Sequence, residues 1–161
     1  MECLKRINVI KPSKGVDAEV EILKDEMKIL VPHDGSEHAD KALTEAVDIA
    51  KRFSGAITVL HVYHNPRVEE DQVRGQSDLK FLNDVEEHLK DAEVRHEIRV
   101  EHFKFAFIEN SAPVVILKVA EEEDFDLLAM GGKGLGGKGW LLGSVASKLV
   151  SGASCNILLA K

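Results

Sequence analysis

Two repeating patterns of apolar residues run along the chain. Short apolar runs bounded by turn residues are typical of buried strands, and apolar positions that recur every three or four residues are typical of one face of a helix. The runs predict five strands, at residues 28–32, 56–63, 94–100, 127–130 and 156–160. The helical spacing predicts helices at residues 37–53, 79–92, 111–123 and 144–150. Ser36 is the expected N-cap of the first helix and Gly55 its expected stop.

The alternation of strands and helices predicts the fold class. Nearly continuous apolar strands, each followed by a helix, indicate a parallel sheet that is covered on both faces. The expected fold is therefore α/β, an open doubly wound sheet of Rossmann-like type with helices on both faces. Ligands of such sheets bind beyond the carboxyl ends of the strands, where the strand order reverses.

Two segments do not fit this alternation. Residues 1–26 precede the first clear strand, and their pattern is compatible with either a β-hairpin or a flexible tail. Phenylalanines at positions 103, 105 and 107 alternate as in a strand, but residues 103–110 leave the element type open.

A glycine-rich loop follows the fourth predicted strand. Seven glycines fall within the thirteen residues from Gly131 to Gly143, and a helical pattern begins at Gly143-Ser144. Glycine lets the backbone approach an anion closely, and a helix N-terminus adds unsatisfied N–H groups and a partial positive charge. A strand, a glycine loop and a helix N-terminus in this order predict a phosphate-binding site.

Composition and charge exclude several classes of protein. The chain has 161 residues, enough for one domain with a substantial core. Its net charge of −7 argues against a general nucleic-acid binder, which needs a basic face. The two cysteines, Cys3 and Cys155, form neither a disulfide framework nor a metal motif. No segment resembles a signal peptide or a membrane span, so the expectation is a cytoplasmic protein without membrane contact.

Four sequence motifs, in their order and spacing, resemble those of the universal stress protein family. They are Lys28-Ile-Leu-Val-Pro-His-Asp-Gly-Ser36, Val59-Leu-His-Val62, Asp126-Leu-Leu-Ala-Met-Gly131 and Gly143-Ser-Val145. The resemblance covers residues 27–161 and leaves residues 1–26 as an N-terminal extension. It implies a stress-response protein with a five-stranded parallel sheet of order 3-2-1-4-5. It also implies a homodimer that pairs through the last strand, residues 156–160.

The family resemblance also implies a ligand. One branch of the family binds ATP through the motif G-x2-G-x9-G-[ST], and the other branch lacks the motif and does not bind. Gly131 and Gly134 fit the first half, but eight residues rather than nine separate Gly134 from Gly143. The other glycines of the loop can absorb this deletion. The implied cofactor is therefore ATP, with Mg2+ or Mn2+ as a possible companion ion, and a member that binds no nucleotide is the alternative.

The resemblance implies roles for most of the candidate site residues. Asp34 would face the ribose or the adenine, the Val62 backbone would contact the adenine edge, and Gly131 and Gly134 would let the backbone wrap the ribose and phosphates. The N–H groups of Gly143, Ser144 and Val145 would bind the phosphates, together with the Ser144 hydroxyl. The candidate residues are Pro32, His33, Asp34, Val62, Met130, Gly131, Lys133, Gly134, Gly143, Ser144 and Val145.

Simpler interpretations stand beside these roles. Asp34 could simply close an Asx turn or cap the first helix, and Ser144 could simply be an N-cap. His33, His61 and His64 lie near the ends of the first two strands, but their spacing matches no zinc site.

Binding is predicted more strongly than catalysis. The chain contains no P-loop of the form G-x4-G-K-[ST], and no nucleophile–base pair stands out in the sequence. Three functional hypotheses follow: a nucleotide-dependent switch or adaptor, a dimeric adaptor that binds no nucleotide, and a slow ATPase.

Overall fold

A computed structural model of the chain describes residues 26–64, 80–103, 111–134 and 141–161. The candidate hairpin in residues 1–26 lies outside the described residues except for Glu26, and so do residues 104–110 and residues 135–140 of the glycine loop.

Five strands and four helices alternate along the described residues. They are β1 (Lys28–Pro32), α1 (Glu37–Phe53), β2 (Ala56–His64), α2 (Phe81–Asp91), β3 (Arg95–Phe103), α3 (Ala112–Glu122), β4 (Leu127–Gly131), α4 (Ser144–Gly152) and β5 (Asn156–Ala160). The pattern of apolar positions thus predicted every one of these elements. The largest difference is that β3 continues to Phe103, three residues beyond the predicted end.

The strands form one parallel sheet in the order β3-β2-β1-β4-β5. This confirms the fold class that the apolar pattern predicted and the strand order that the family resemblance implied. Beyond β1 the chain moves outward to β2 and β3, then returns to place β4 on the other side of β1. The strand order therefore reverses between β1 and β4, where a doubly wound sheet offers a ligand site.

The central strands β1, β2 and β4 are buried on both faces, as their continuous apolar runs predicted. Ile29 and Val31 pack with α1 and α2 on one face, whereas Leu30 packs with α3 and α4 on the other. Alternate residues of a strand point to opposite faces, so a strand between two helical layers needs apolar residues at every position.

Both ends of α1 show how local sequence sets the element. Ser36 is the N-cap, and its hydroxyl oxygen accepts a hydrogen bond from the Ala39 N–H at 3.3 Å. At the other end the left-handed residue is Ser54, with φ 53°, and not the expected Gly55. A Cβ at Gly55 would lie 2.9 Å from the Met27 carbonyl oxygen. Glycine is therefore required at residue 55 because the backbone of Met27, the residue before β1, lies so close. A left-handed turn is not the reason.

Within the described residues, no helix combines the length and the apolar character needed to cross a membrane.

Candidate functional site

A cavity of about 520 Å3 opens at the carboxyl ends of β1 and β4. All eleven candidate residues line it, although they come from four separate stretches of the chain. They are Pro32, His33, Asp34, Val62, Met130, Gly131, Lys133, Gly134, Gly143, Ser144 and Val145. The fold brings these stretches together because parallel strands present all their carboxyl ends at one edge of the sheet.

The cavity has further lining residues that the sequence analysis did not select. They are small or apolar: Ala39, Leu60, Ala112, Ile116, Ala146 and Leu149. Their spacing marks them as core positions on helices and strands. Periodicity shows that a side chain points inward, but it does not show that a cavity interrupts the core at that point.

Apolar side chains form one wall of the cavity. Met130 is buried and Val62 is half-buried, and both lie against the core layer beneath α3 and α4. Leu60 and Ile116 extend the same surface. An apolar wall of this kind suits the face of an aromatic ring.

Asp34 closes the turn between β1 and α1. Its Oδ1 accepts a hydrogen bond from the Ser36 N–H at 3.1 Å, which is an Asx turn. Its Oδ2 lies against the Cα of Gly134, so that a Cβ at residue 134 would overlap this oxygen. One carboxylate oxygen thus serves the turn, while the other faces the glycine loop at the cavity.

Contacts within the protein constrain two glycines of the loop, Gly131 more strictly than Gly134. A Cβ at Gly131 would lie 2.7 Å from the His38 carbonyl carbon and 2.9 Å from the Ala39 nitrogen. Real Cβ atoms do not come so close to backbone, so only glycine lets β4 end flush against the first turn of α1. The same absence of a side chain lets Gly134 lie beside Asp34.

The helix α4 begins at Ser144, with Gly143 as its N-cap, where φ is −65° and ψ is 160°. The expected alternative in which Ser144 itself is the N-cap is therefore wrong. The first intrahelical bond runs from the Ser147 N–H to the Gly143 carbonyl at 2.9 Å. The N–H groups of Ser144 and Val145 precede this bond and have no acceptor within the helix.

The Gly143 N–H has a different role from the one the resemblance implies. It donates to the Gly132 carbonyl oxygen at 2.9 Å, and the Gly132 N–H donates to the Ala160 carbonyl oxygen at 2.8 Å. These bonds join the two ends of the glycine loop to each other and to β5. The Gly143 N–H is therefore used by the protein, and the candidate anion donors are those of the next two residues.

His33 lines the cavity, but its ring faces protein groups. Nδ1 accepts a hydrogen bond from the Gly35 N–H at 3.1 Å, and Nε2 lies 3.2 Å from Asp40 Oδ1. The ring stacks on Phe81 with centroids 5.2 Å apart. Burial lowers the pKa of His33, an effect that the carboxylates of Asp40 and Asp34 oppose in part. An unprotonated Nδ1 is required for the Gly35 bond, so the geometry and the direction of the pKa agree on a neutral ring.

His61 supports the same turn from the neighbouring strand. Its Nδ1 lies 2.7 Å from the His33 carbonyl oxygen and donates to it, and its ring makes a T-shaped contact with Phe81, with centroids 5.1 Å apart. Of the three histidines near the ends of the first two strands, His33 and His61 lie together around the Phe81 ring. The side chain of His64 lies outside the described residues. Among the residues that are described, no group of three or more His, Cys, Asp or Glu side chains is placed to hold a metal ion.

The sequence matches a family model described as the universal stress protein family, over residues 27–161. Universal stress protein YxiE of Bacillus subtilis is 30% identical over 152 residues, which cover 83% of this chain and 98% of that protein. A universal stress protein of Methanothermobacter thermautotrophicus is 33% identical over 144 residues, which cover 83% of this chain and 94% of that protein.

Solved structures share the fold. The hypothetical protein MJ0577 aligns with a TM-score of 0.69 at 23% identity, over 84% of this chain and 96% of that one. An Archaeoglobus fulgidus universal stress protein in complex with dAMP aligns with a TM-score of 0.64 at 18% identity, over 84% and 98%. An Arabidopsis thaliana universal stress protein family member with AMP bound aligns with a TM-score of 0.60 at 18% identity, over 84% and 91%.

Proposed function

The chain belongs to the universal stress protein family, and we propose that it binds an adenine nucleotide, ATP, in the cavity at the ends of β1 and β4. Bound nucleotide would make it a switch or adaptor in a cytoplasmic stress response. The observation that carries this proposal is the convergence of all eleven candidate residues on one cavity. Its volume of about 520 Å3 is in the usual range for small-ligand sites.

The chemistry of the cavity supports a nucleotide in one orientation. The base would lie on the apolar wall of Val62, Met130 and Ile116. Asp34 Oδ2, at the mouth of the glycine loop, would accept a hydrogen bond from the ribose. The phosphates would lie at the start of α4, where the N–H groups of Ser144 and Val145 combine with the helix dipole.

Two similar structures support an adenine nucleotide as the ligand class. The Archaeoglobus fulgidus protein is in complex with dAMP, and the Arabidopsis thaliana protein has AMP bound. Both nucleotides share the adenine and a 5′-phosphate with ATP, so they support an adenine nucleotide as the ligand. The titrations with ATP, ADP and AMP described below test how many phosphates it carries.

The short loop is the strongest argument for the alternative, a dimeric adaptor that binds no nucleotide. Against it, the Gly143 N–H bonds to the Gly132 carbonyl oxygen at 2.9 Å. This bond closes the base of the loop and sets where α4 begins, so the position of the helix N-terminus depends little on the loop's length. A loop one residue shorter than the motif would then still place the N–H groups of Ser144 and Val145 at the cavity.

A divalent ion, Mg2+ or Mn2+, would enter with the nucleotide. Asp34 is the only carboxylate among the described lining residues, and one carboxylate together with phosphate oxygens is a common set of Mg2+ ligands. The ion would neutralise part of the phosphate charge.

We also propose that two copies of the chain pair through β5. This strand pairs with β4, and no described strand covers its other edge. The Asn156 N–H bonds to the Asp126 carbonyl and the Ala160 carbonyl accepts from Gly132, so the even-numbered residues face β4. The backbone groups of Ile157 and Leu159 therefore point to the open edge, and an uncovered edge of this kind favours pairing with another strand.

Titration of the purified protein with ATP, ADP and AMP tests the nucleotide proposal. We expect heat on binding, a rise in melting temperature, and loss of both in Asp34→Asn. Asp48→Asn is the matched control, because Asp48 is an exposed residue of α1 away from the cavity. No heat, no thermal shift and no nucleotide carried through purification would favour the adaptor that binds none.

A further inference from the structure

Two of the segments that line the cavity form the two halves of a seam. One half is the turn from β1 into α1, and the other is the segment from Gly131 to Gly134 that leaves β4. The backbone of α1 lies against Gly131, and the carboxylate of Asp34 lies against Gly134. Such close packing makes the relative position of the halves sensitive to whatever links them.

Ser36 supplies a polar link across this seam. Its side chain is buried, with 6% of the residue exposed. The hydroxyl donates to the Lys133 carbonyl oxygen at 3.4 Å and accepts from the Ala39 N–H at 3.3 Å. Its backbone N–H donates to Asp34 Oδ1 at 3.1 Å. One residue thus caps α1, closes the Asp34 turn and contacts the glycine loop.

The cap and the link use different parts of the hydroxyl. A serine hydroxyl has one hydrogen to donate and two lone pairs to accept with. The N-cap uses a lone pair, so the hydrogen remains for an acceptor across the seam. An N-cap alone would not require a residue that can donate.

We infer that Ser36 is a positioning residue, which holds the Lys133–Gly134 segment against the Asp34 turn so that both halves of the nucleotide site are in place before the ligand arrives. This inference rests on the proposed function. It assigns to Ser36 an effect on ligand affinity in addition to its effect on the helix. The effect passes through the loop, since Ser36 itself is not among the residues that line the cavity.

Three substitutions separate the link from the cap. Ser36→Thr keeps the hydroxyl and so keeps both. Ser36→Gly keeps much of the N-cap preference, because glycine is well tolerated at that position, but removes the link. Ser36→Ala removes both. AMP is the probe, and its affinity is measured by calorimetry in the full chain.

We expect AMP to bind Ser36→Gly about 3- to 10-fold more weakly than wild type, the range for one lost hydrogen bond. Ser36→Thr should bind within about twofold of wild type. In the ligand-free proteins, hydrogen exchange of the backbone amides of residues 131–134 should be faster in Ser36→Gly and Ser36→Ala than in Ser36→Thr.

Unchanged AMP affinity in Ser36→Gly, or unchanged exchange of the loop amides, would overturn the positioning role. Failure of the wild type to bind any adenine nucleotide is a separate outcome. It would overturn the proposed function, and with it the effect of Ser36 on affinity, while the exchange comparison would still decide whether Ser36 holds the loop.

Discussion

Asp34 and Gly134 lie in contact across the mouth of the cavity, with a carboxylate oxygen in the space that a side chain at residue 134 would occupy. The contact joins the turn after β1 to the loop after β4, two segments a hundred residues apart in the sequence. Asp34 Oδ1 is held by the Ser36 N–H, so the carboxylate cannot turn away without breaking its own turn. The first two glycines of the nucleotide motif are therefore constrained by the protein itself as well as by any ligand.

Gly131→Ala should destabilise the fold even without nucleotide. Its Cβ would press on the backbone of His38 and Ala39, which cannot move without shifting α1. We expect a loss of about 1–3 kcal/mol in the free energy of unfolding, measured by urea denaturation. Gly134→Ala should lose less stability, because it meets only the end of the Asp34 side chain, and should mainly weaken nucleotide binding. Equal losses of stability in both variants would contradict this account.

Ser144→Pro tests whether a backbone N–H at the start of α4 binds phosphate. Proline is favoured at the first position of a helix, and the preceding Gly143, with φ −65° and ψ 160°, already has the conformation that a following proline requires. We expect AMP affinity to fall by about tenfold or more, the effect of losing a hydrogen bond to a charged group, with adenosine affinity unchanged.

Ser144→Ala is the matched control for that substitution, since it removes the hydroxyl and keeps the N–H. If Ser144→Ala weakens AMP as much as Ser144→Pro does, the side chain rather than the backbone carries the interaction. Equal weakening of AMP and adenosine by Ser144→Pro would place the phosphate elsewhere.

His33 should make the fold less stable at acid pH. Burial lowers its pKa below the ordinary value of 6.5. Just below pH 6.5 the histidine is therefore protonated in the unfolded chain but still neutral in the folded chain. The free energy of unfolding should therefore fall as the pH drops below about 6.5, until the lower pKa of the folded state is reached, and should not change through this group above that range.

Urea denaturation between pH 7.5 and pH 5 measures this dependence. In His33→Gln the slope of stability against pH should be smaller than in wild type. His88→Gln, at an exposed position of α2, is the control and should keep the wild-type slope. Identical slopes in all three proteins would show that His33 does not carry the dependence.

Leu159→Pro should prevent pairing through β5. It removes a backbone N–H that points to the open edge and adds a ring there, while the bonds to β4 use other residues. Light scattering should then give the mass of one chain for the variant and of two chains for wild type. Leu159→Ala loses the same side chain but keeps the N–H, so it should remain a dimer. A wild-type protein with the mass of one chain would contradict the proposed pairing.

Periodicity was enough to predict the elements and the fold class. The apolar run of β1 needs burial on both faces, and the spacing of α1 buries one stripe of alanines with Leu43 and Val47. These properties are local and repeat along the chain, so a sequence displays them directly. The glycine loop and Asp34 were also recognisable as candidate site residues, because few structures other than turns and anion sites require them.

The remaining properties depend on which distant groups become neighbours. No local pattern shows that Gly131 faces the backbone of His38, that the Gly143 N–H donates to Gly132, or that the His33 ring stacks on Phe81. By itself the sequence determined the α/β elements, their burial and the candidate residues of the proposed nucleotide site. Only the tertiary structure decided that these residues line one cavity and which of their polar groups are used within the protein. The reason is that hydrogen-bond partners and close approaches are set by the packing of α1 against β4, across a hundred residues of chain.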